Sequence, residues 1–497
     1  MADRLTFGTA GLRGPLGEGP LRMNVEQVEL VATAIAEWLP AGSTVIIGRD
    51  ARRGSEDFAN VTARVLFEAG HRPRVFVDPV PTPVVAYLVG ATDAAAGVMV
   101  TASHNPATDN GYKVYVADGG QLQPEDAATI EATMAALPWP TSVDVNPPAG
   151  IDRLSADEVD DYVSTISAVL GDTATSKGVI VAYTAMHGVS GELFLRVLEQ
   201  AGHQVHSVAE QHQPNPDFPT APFPNPEEPG TLDLVMSLAD EVAADIVLAN
   251  DPDADRLAVA VKRESGWERL TGDEIGVLLG WYVLESAERP CTVASSIVSS
   301  TMLSKLAAAR KVEHESTLTG FKWLARAGTH RAPLAFAYEE ALGYSVFPAI
   351  KDKDGISAGL AFANLVASLE AVGRNVDDLL VELADEFGHH MTAHMSFRFE
   401  GEDSMTKMAQ LMAGLRHRRL QAIGEFVVGE TVDLAESGGK LPPANVLIYK
   451  FEGGRLIIRP SGTEPKIKAY LEVVDSDQAA AEARLNSLRT AAHDLLH

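Results

Sequence analysis

The sequence predicts an α/β protein of four domains, three of one design and a C-terminal one of α+β type. The chain has 497 residues, too many for one hydrophobic core, because cores stop growing beyond roughly 250–300 residues. A strand, polar loop, helix, Ala-Gly-His, strand pattern at 45–76 (VIIGRDARRGSEDFANVTARVLFEAGHRPRVF) recurs in outline at 179–208 (VIVAYTAMHGVSGELFLRVLEQAGHQVHSV) and more faintly at 292–317. Copies more than a hundred residues apart indicate related domains, since solenoid repeats run ~20–50 residues. From about residue 380 the pattern changes to helix, strands and a closing helix.

Composition narrows the function. A formal net charge of −28 repels nucleic acid and anionic membranes, so any phosphorylated ligand must be caught by local basic groups. The single cysteine, Cys291, excludes an intramolecular disulfide. MADRLTFG lacks an apolar signal region, and no run approaches the ~18 apolar residues of a membrane helix. A cytoplasmic protein is expected.

In chain order, Phe7-Gly8-Thr9-Ala10-Gly11-Leu12-Arg13-Gly14 is a glycine-rich loop whose amides can approach an anion and whose Arg13 can clamp one. Val25, Val28, Ala32, Ile35 and Leu39 share a helical face, and Val45-Ile46-Ile47-Gly48 reads as a buried strand. Next comes GVMVTASHNPATDNGYKVYV at 97–116. Ser103 and His104 stand where the strand Gly97–Val100 gives out before Pro106. Tyr112, Val114 and Val116 open a second strand, which makes Asp109-Asn110-Gly111 the expected turn. Lys113, just past it, can reach back. Serine needs a base or a metal to become a nucleophile, and no Gly-x-Ser-x-Gly elbow surrounds this one.

Proline thickens at 137–150, which places the first boundary there, and the domains are set at 1–147, 148–265, 266–378 and 379–497. The tract from Gln213 to Gly230 holds seven prolines and is read as a long ordered connection, neither helix nor central strand.

Asp251, Asp253 and Asp255 alternate on a tight loop between two strand patterns, with Arg256 after them. Converging carboxylates repel one another unless a cation sits among them. An EF-hand fails, because its sixth and twelfth positions need Gly and Glu and here are Arg256 and Lys262. Glu339 and Glu340 lie between apolar residues in YEEALGYS, where hydroxyl donors on a ligand, or Lys351 or Lys353, would offset their burial. His389, His390 and His394 lack a metal motif and are read as solvated. Near the end, RPSGTEPK brings Arg459, Ser461, Gly462, Thr463 and Lys466 between two strands, the parts of a phosphate cradle.

These strings together resemble the α-D-phosphohexomutases, the phosphoglucomutase and phosphomannomutase family, over essentially the whole chain. TASHNP with NGxK resembles that family's phosphoserine loop, FGTAGLRG its opening with an arginine aimed at the active site, DPDADR its magnesium loop and RPSGTEP its phosphate loop. EEALGYS resembles its sugar-binding loop with one residue more of spacing and Tyr344 where histidine is usual; Glu339 is the favoured match. With Thr319-Gly320-Phe321-Lys322-Trp323, the motifs stand closest to the branch that includes phosphopentomutases.

The resemblance implies the four-domain phosphohexomutase architecture, with Mg²⁺ held by Asp251, Asp253, Asp255 and a phosphate oxygen on Ser103. It implies interconversion of hexose 1-phosphate and hexose 6-phosphate, of glucose or mannose, through a sugar 1,6-bisphosphate. A phosphopentomutase is the alternative and a metal-dependent sugar phosphatase a more distant one. Arg13 and Arg256 would lie beside phosphate, and Lys113, His104 and Lys353 are candidates for moving the hydroxyl proton. Thr319, Gly320, Glu339 and Glu340 would face the sugar and the 459–466 loop its other phosphate. The expected partner is a phosphorylated monosaccharide.

Overall fold

The computed structural model describes residues 4–8, 11–147, 149–170, 178–401, 403–436, 441–461 and 465–497. The first of its sheets has seven strands, ordered Phe7–Gly8, Gly11–Pro15, Asp109–Val116, Ala96–Val100, Thr44–Arg49, Arg72–Phe76 and Asp152–Leu154. The second is ordered Gly266–Arg269, Ala258–Arg263, Ile246–Ala249, Ile180–Thr184, Gln204–Ser207. The third runs Glu313–Thr317, Thr292–Ser296, Leu334–Glu339, Gly343–Ser345.

All three share one plan. A first strand pairs in parallel with a second and a third, and a fourth returns antiparallel along the third. The central strands are buried along nearly their whole length (Ala96–Val100, Ile246–Ala249, Thr292–Ser296), which is why they read as continuous runs of apolar or small residues with no alternation. Reversal into the fourth strand puts the loops at 101–108, 250–257 and 340–342 at one equivalent corner, the carboxyl end of the third strand. Ligands of open α/β sheets bind outside such ends.

The last sheet is antiparallel throughout, ordered His389–Arg398, Lys466–Asp475, Gly454–Pro460, Leu447–Phe451, Phe426–Asp433, Ala422–Ile423. Met408, Met412 and Leu415 of the helix Ser404–His417 and Leu485, Leu488 and Ala492 of the helix Gln478–Leu496 cover it, forming a core of its own. A different buried cluster runs from the helix Thr82–Ala91 through the second and third sheets to the helix Gly355–Glu370. Between the third and last sheets, Ile297 and Val298 pack with Ile448, Ile457 and Tyr470.

Several local expectations differ. Asn110 and Gly111 are no turn: both lie inside the strand Asp109–Val116, opposite Gly14 and Arg13. Gly111 is needed for close approach, since a Cβ there would stand 2.6 Å from the Thr101 carbonyl oxygen and 2.8 Å from that of Leu12. Chain reversal falls instead at 103–108, with Ser103 itself left-handed at φ 53°. Arg13 accordingly stands on a strand, Gly11–Pro15, and not on a loop. Asp152–Leu154 joins the first sheet, past the proline-marked boundary at 147, and the helix Val376–Phe387 runs through 378, where the change of pattern near 380 puts the last boundary. The tract at 213–230 runs as successive turns with neither helix nor strand. His390 is not solvated: its side chain is 2% exposed and its Nδ1 lies 3.0 Å from Glu472 Oε1. Among the described residues, no helix is long and apolar enough to cross a membrane.

Candidate active site

The corners of the first two sheets meet at Ser103. Its hydroxyl donates to Asp251 Oδ2 at 2.7 Å and lies 3.1 Å from His104 Nδ1. Thr101 Oγ1 receives the Ser103 amide at 2.8 Å, which helps hold the left-handed backbone. Asp251, Asp253 and Asp255 offer ligand atoms all within 4.8 Å of one another, and all three are buried.

Charge around the aspartates is only partly balanced. Lys113 Nζ donates to Asp253 Oδ2 at 2.7 Å and Asp255 Oδ2 at 2.5 Å, while Lys353 Nζ stands 3.1 Å from the same Asp255 oxygen. Thr82 Oγ1 adds a bond to Asp253 Oδ2 at 2.6 Å. Burial would lift the Asp255 carboxyl, but Lys113 and Lys353 overrule it and hold it below the usual range. Asp251 goes the other way, to about 8, through burial and then through Asp253 and Asp255. Asp253 Oδ1 and Asp255 Oδ1 are buried with no hydrogen-bond partner. Unpartnered carboxylate oxygens of this kind are costly, and they are what a hard divalent cation takes as ligands. The triad can hold a metal ion.

Cations also line the outer side. Arg13 Nε and Arg256 Nε are buried without partners, and Arg256 Nη1 reaches Glu227 Oε2 at 3.4 Å. Burial and then Arg256 and Arg13 push His104 well below its usual pKa, so its ring is neutral. Burial would lower Lys353, yet Asp255, Asp352 and Glu339 raise it, so it stays charged.

The third corner faces this site. Gly320 N donates to Glu339 Oε2 at 3.1 Å, and burial raises the Glu339 carboxyl, with Lys353 opposing. Glu340 Oε2 is already engaged by Ser296 Oγ at 3.1 Å and Ser299 Oγ at 3.2 Å. Between the two glutamates left open by sequence, Glu339 is the one aimed beside Lys353. From the last sheet, Arg459 Nη1 donates to Thr319 Oγ1, and Ser461 N donates to the Lys466 carbonyl at 2.8 Å. Gly462 and Thr463 lie outside the described residues.

The described residues thus gather Ser103, the three aspartates, Arg13 and Arg256, with Glu339 facing them. Models of phosphoglucomutase/phosphomannomutase alpha/beta/alpha domains I, II and III match residues 4–139, 160–266 and 271–387, and that of the C-terminal domain matches 399–485. The chain belongs to the phosphoglucomutase/phosphomannomutase family. It is 38% identical to the Haemophilus influenzae protein named "Probable phosphomannomutase", covering 93% of this chain and 95% of that one. It is 34% identical to the human phosphopentomutase (98% and 88%) and 31% to a Staphylococcus aureus phosphoglucomutase (98% and 92%). The crystal structure of a Burkholderia thailandensis phosphoglucomutase/phosphomannomutase family protein has the same fold, with a TM-score of 0.76 at 20% identity over 100% of this chain and 98% of that one. As a member of this family the chain is a phosphosugar mutase, an isomerase acting by intramolecular phosphotransfer.

Sequence reasoning missed some of the mutase's cleft. Arg52, read only as part of a polar loop, is 4% exposed and bonded to carbonyls of the serine loop. Thr82, from a helix start behind a proline, carries no signal at all. Lys468 stands opposite Arg459 in register, and burial, Arg459 and Lys466 lower its pKa; its alternation with Lys466 was the available signal.

Proposed function

We propose that the chain interconverts hexose 1-phosphate and hexose 6-phosphate, of glucose or mannose, through Ser103. The observation that carries this reading is the Ser103 hydroxyl at 2.7 Å from Asp251, within the corner that holds the orphaned oxygens of Asp253 and Asp255. Magnesium is the cation proposed for Asp251, Asp253 and Asp255, with an oxygen of phosphorylated Ser103 beside them; there it would withdraw charge from the transferring group.

In this reading the Ser103 Oγ–P bond breaks and a P–O bond forms to the sugar's free hydroxyl, giving a bisphosphorylated sugar. Neutral His104, 3.1 Å from Ser103 Oγ, is the group able to accept the proton released, whereas Lys353, held charged by Asp255, Asp352 and Glu339, and Lys113, paired with Asp253 and Asp255, stabilise developing charge. Arg13 and Arg256 flank the phosphoryl oxygens, each with an Nε donor that lacks a partner. Glu339 reads a ring hydroxyl. The 459–466 loop and Lys468 grip the phosphate that does not react, and the bisphosphate turns over before returning its other phosphoryl group to Ser103. We place the enzyme in the cytoplasm and the four domains near 1–147, 148–265, 266–378 and 379–497, the first extended by the strand Asp152–Leu154.

A specific observation favours a second reading, a phosphopentomutase. Because Glu340 is spent on Ser296 and Ser299, few side chains remain to read a six-carbon ring. Turnover of glucose, mannose, ribose and deoxyribose 1-phosphates with Mg²⁺ and glucose 1,6-bisphosphate, with free phosphate monitored, tests both. A pentose specificity constant more than about tenfold above both hexoses, ~1.4 kcal/mol in transition-state binding, would replace the first reading by the second. Stoichiometric free phosphate would make the protein a phosphatase.

A further inference from the structure

The prolines between Gln213 and Gly230 build a strap from the second domain across the serine loop of the first. Asp217 Oδ1 pairs with Arg53 at 2.5 Å. Phe218, 2% exposed, lies under the Arg52 guanidinium at 4.8 Å, and Arg52 itself binds the Ser103 carbonyl. Farther along, Phe223 meets the His104 ring at 6.4 Å. The strap then delivers Glu227 to Arg256 at 3.4 Å, the side chains being 28% and 14% exposed. Pro226 O receives Arg269 Nη1 at 2.7 Å, and Asn225 Oδ1 receives the Glu227 amide at 3.2 Å, which fixes the turn carrying the carboxylate. Seven prolines in eighteen positions fix many of the backbone angles of this succession of turns, so the carboxylate is presented and does not wander.

We infer that Glu227 is a positioning residue: its carboxylate holds the Arg256 guanidinium across the mouth of the Ser103 site and is exchanged for phosphoryl oxygens when phosphate enters. This rests on the reading of Ser103 and Arg256 as a phosphoryl site. Arg256 has one edge on Glu227 and its Nε buried with no partner. A guanidinium in that state has a fixed place and an unused donor, and a dianion offers it more than one carboxylate oxygen does. Glu227 thus competes with phosphate for the same cation. It weakens the resting grip on substrate and keeps the arginine oriented between turnovers. The carboxylate also lies near enough to Lys468 and Tyr470 of the last domain to act on their charge states, so it faces the strand that follows the phosphate loop.

The test is a double-mutant cycle of Glu227→Gln with Arg256→Lys, read by calorimetric binding of inorganic phosphate to the full-length, unphosphorylated protein and by steady-state kinetics. Removal of the competing charge is expected to tighten phosphate binding about fivefold, the upper range of a partly exposed pair, and to lower KM and kcat together. In the Arg256→Lys background the Glu227→Gln effect should vanish. Weaker or unchanged phosphate binding in Glu227→Gln, or the same tightening without Arg256, overturns the inference. Thermal midpoints of all four proteins separate a folding defect, and Glu227→Ala repeats the measurement if Glu227→Gln is unstable. Calorimetry needs no turnover, so a protein inactive on sugar phosphates would sink the mutase reading and leave this one decidable.

Discussion

The Arg52 guanidinium grips the Ser103 carbonyl oxygen at 2.5 Å. It also binds the carbonyls of Asn105 at 2.6 Å, Pro106 at 2.8 Å and Asp109 at 3.2 Å, with Asp50 3.2 Å behind it. One buried cation from the first strand's corner thus shapes the entire turn that carries the Ser103 hydroxyl. Its side chain is 1% exposed, so water cannot replace it.

Arg52→Ala should therefore leave Asp50 charged or protonated without its partner and four carbonyls bare. Breaking a buried pair of this sort costs about 3–5 kcal/mol, seen as a lowered denaturant midpoint. Arg52→Lys should recover part of the stability and little of the kcat, because an ammonium cannot reach a fan of four acceptors. Equal kcat in Arg52→Lys and wild type would show that the turn holds its shape alone.

Chelation should abolish turnover, and added Mg²⁺ should restore it. The same addition should raise the thermal midpoint of the apoprotein, by the linkage of a ligand that binds only the native state. Asp253→Asn and Asp255→Asn should each lose that rise. A midpoint indifferent to Mg²⁺ would mean that the orphaned oxygens serve some other partner.

Glu339→Gln should raise KM for the sugar phosphate by the worth of one hydrogen bond, ~0.5–1.5 kcal/mol or about two- to tenfold. Glu340→Gln should act mainly on stability, since its carboxylate serves Ser296 and Ser299. The opposite ranking in KM would exchange the two roles.

Arg459→Ala should weaken substrate binding about thirtyfold to over a hundredfold, the effect of ~2–3 kcal/mol from a charge-assisted contact, while intact mass still shows phosphate on Ser103. An unchanged KM would move the cradle elsewhere.

Acid should loosen the joint between the last two domains. Burial would raise Glu472, but Arg455 first, then His390 and the Thr301 amide, draw it down to about 2. A depressed native pKa adds stability that is complete above the unfolded value near 4.5 and lost as pH falls toward 2. Wild type should lose denaturant resistance over that window more steeply than Glu472→Gln, and parallel slopes would remove Glu472 from the joint.

Much of this was legible in the sequence because the reactive groups sit in short strings between strand patterns: Ser103 and the aspartates are local signals. The repeats at 45, 179 and 292 gave the first two strands of each sheet and the helix between them. The third and fourth strands of the first two sheets were legible from their own apolar runs, but that they pair beside the repeats depends on contacts over long separations. Asn110-Gly111 misled for a physical reason: the pair commonly makes a turn, but here tertiary crowding from Thr101 and Leu12 demands the glycine. Arg52, Thr82 and Glu227 could not be read at all as site residues, since each acts on a partner far away in the chain.

The equivalent corners have a consequence for how such an enzyme can change. The proposed nucleophile, cation ligands and sugar reader sit at or beside the same reversal in three copies of one sheet, so each proposed task rides on a separate cassette. A strand reversal can be lengthened or rewritten without disturbing the parallel ladder beneath it. On the proposed roles, substrate preference can then drift at Glu339 and the turn after it while the chemistry at 101–108 and 250–257 stands still.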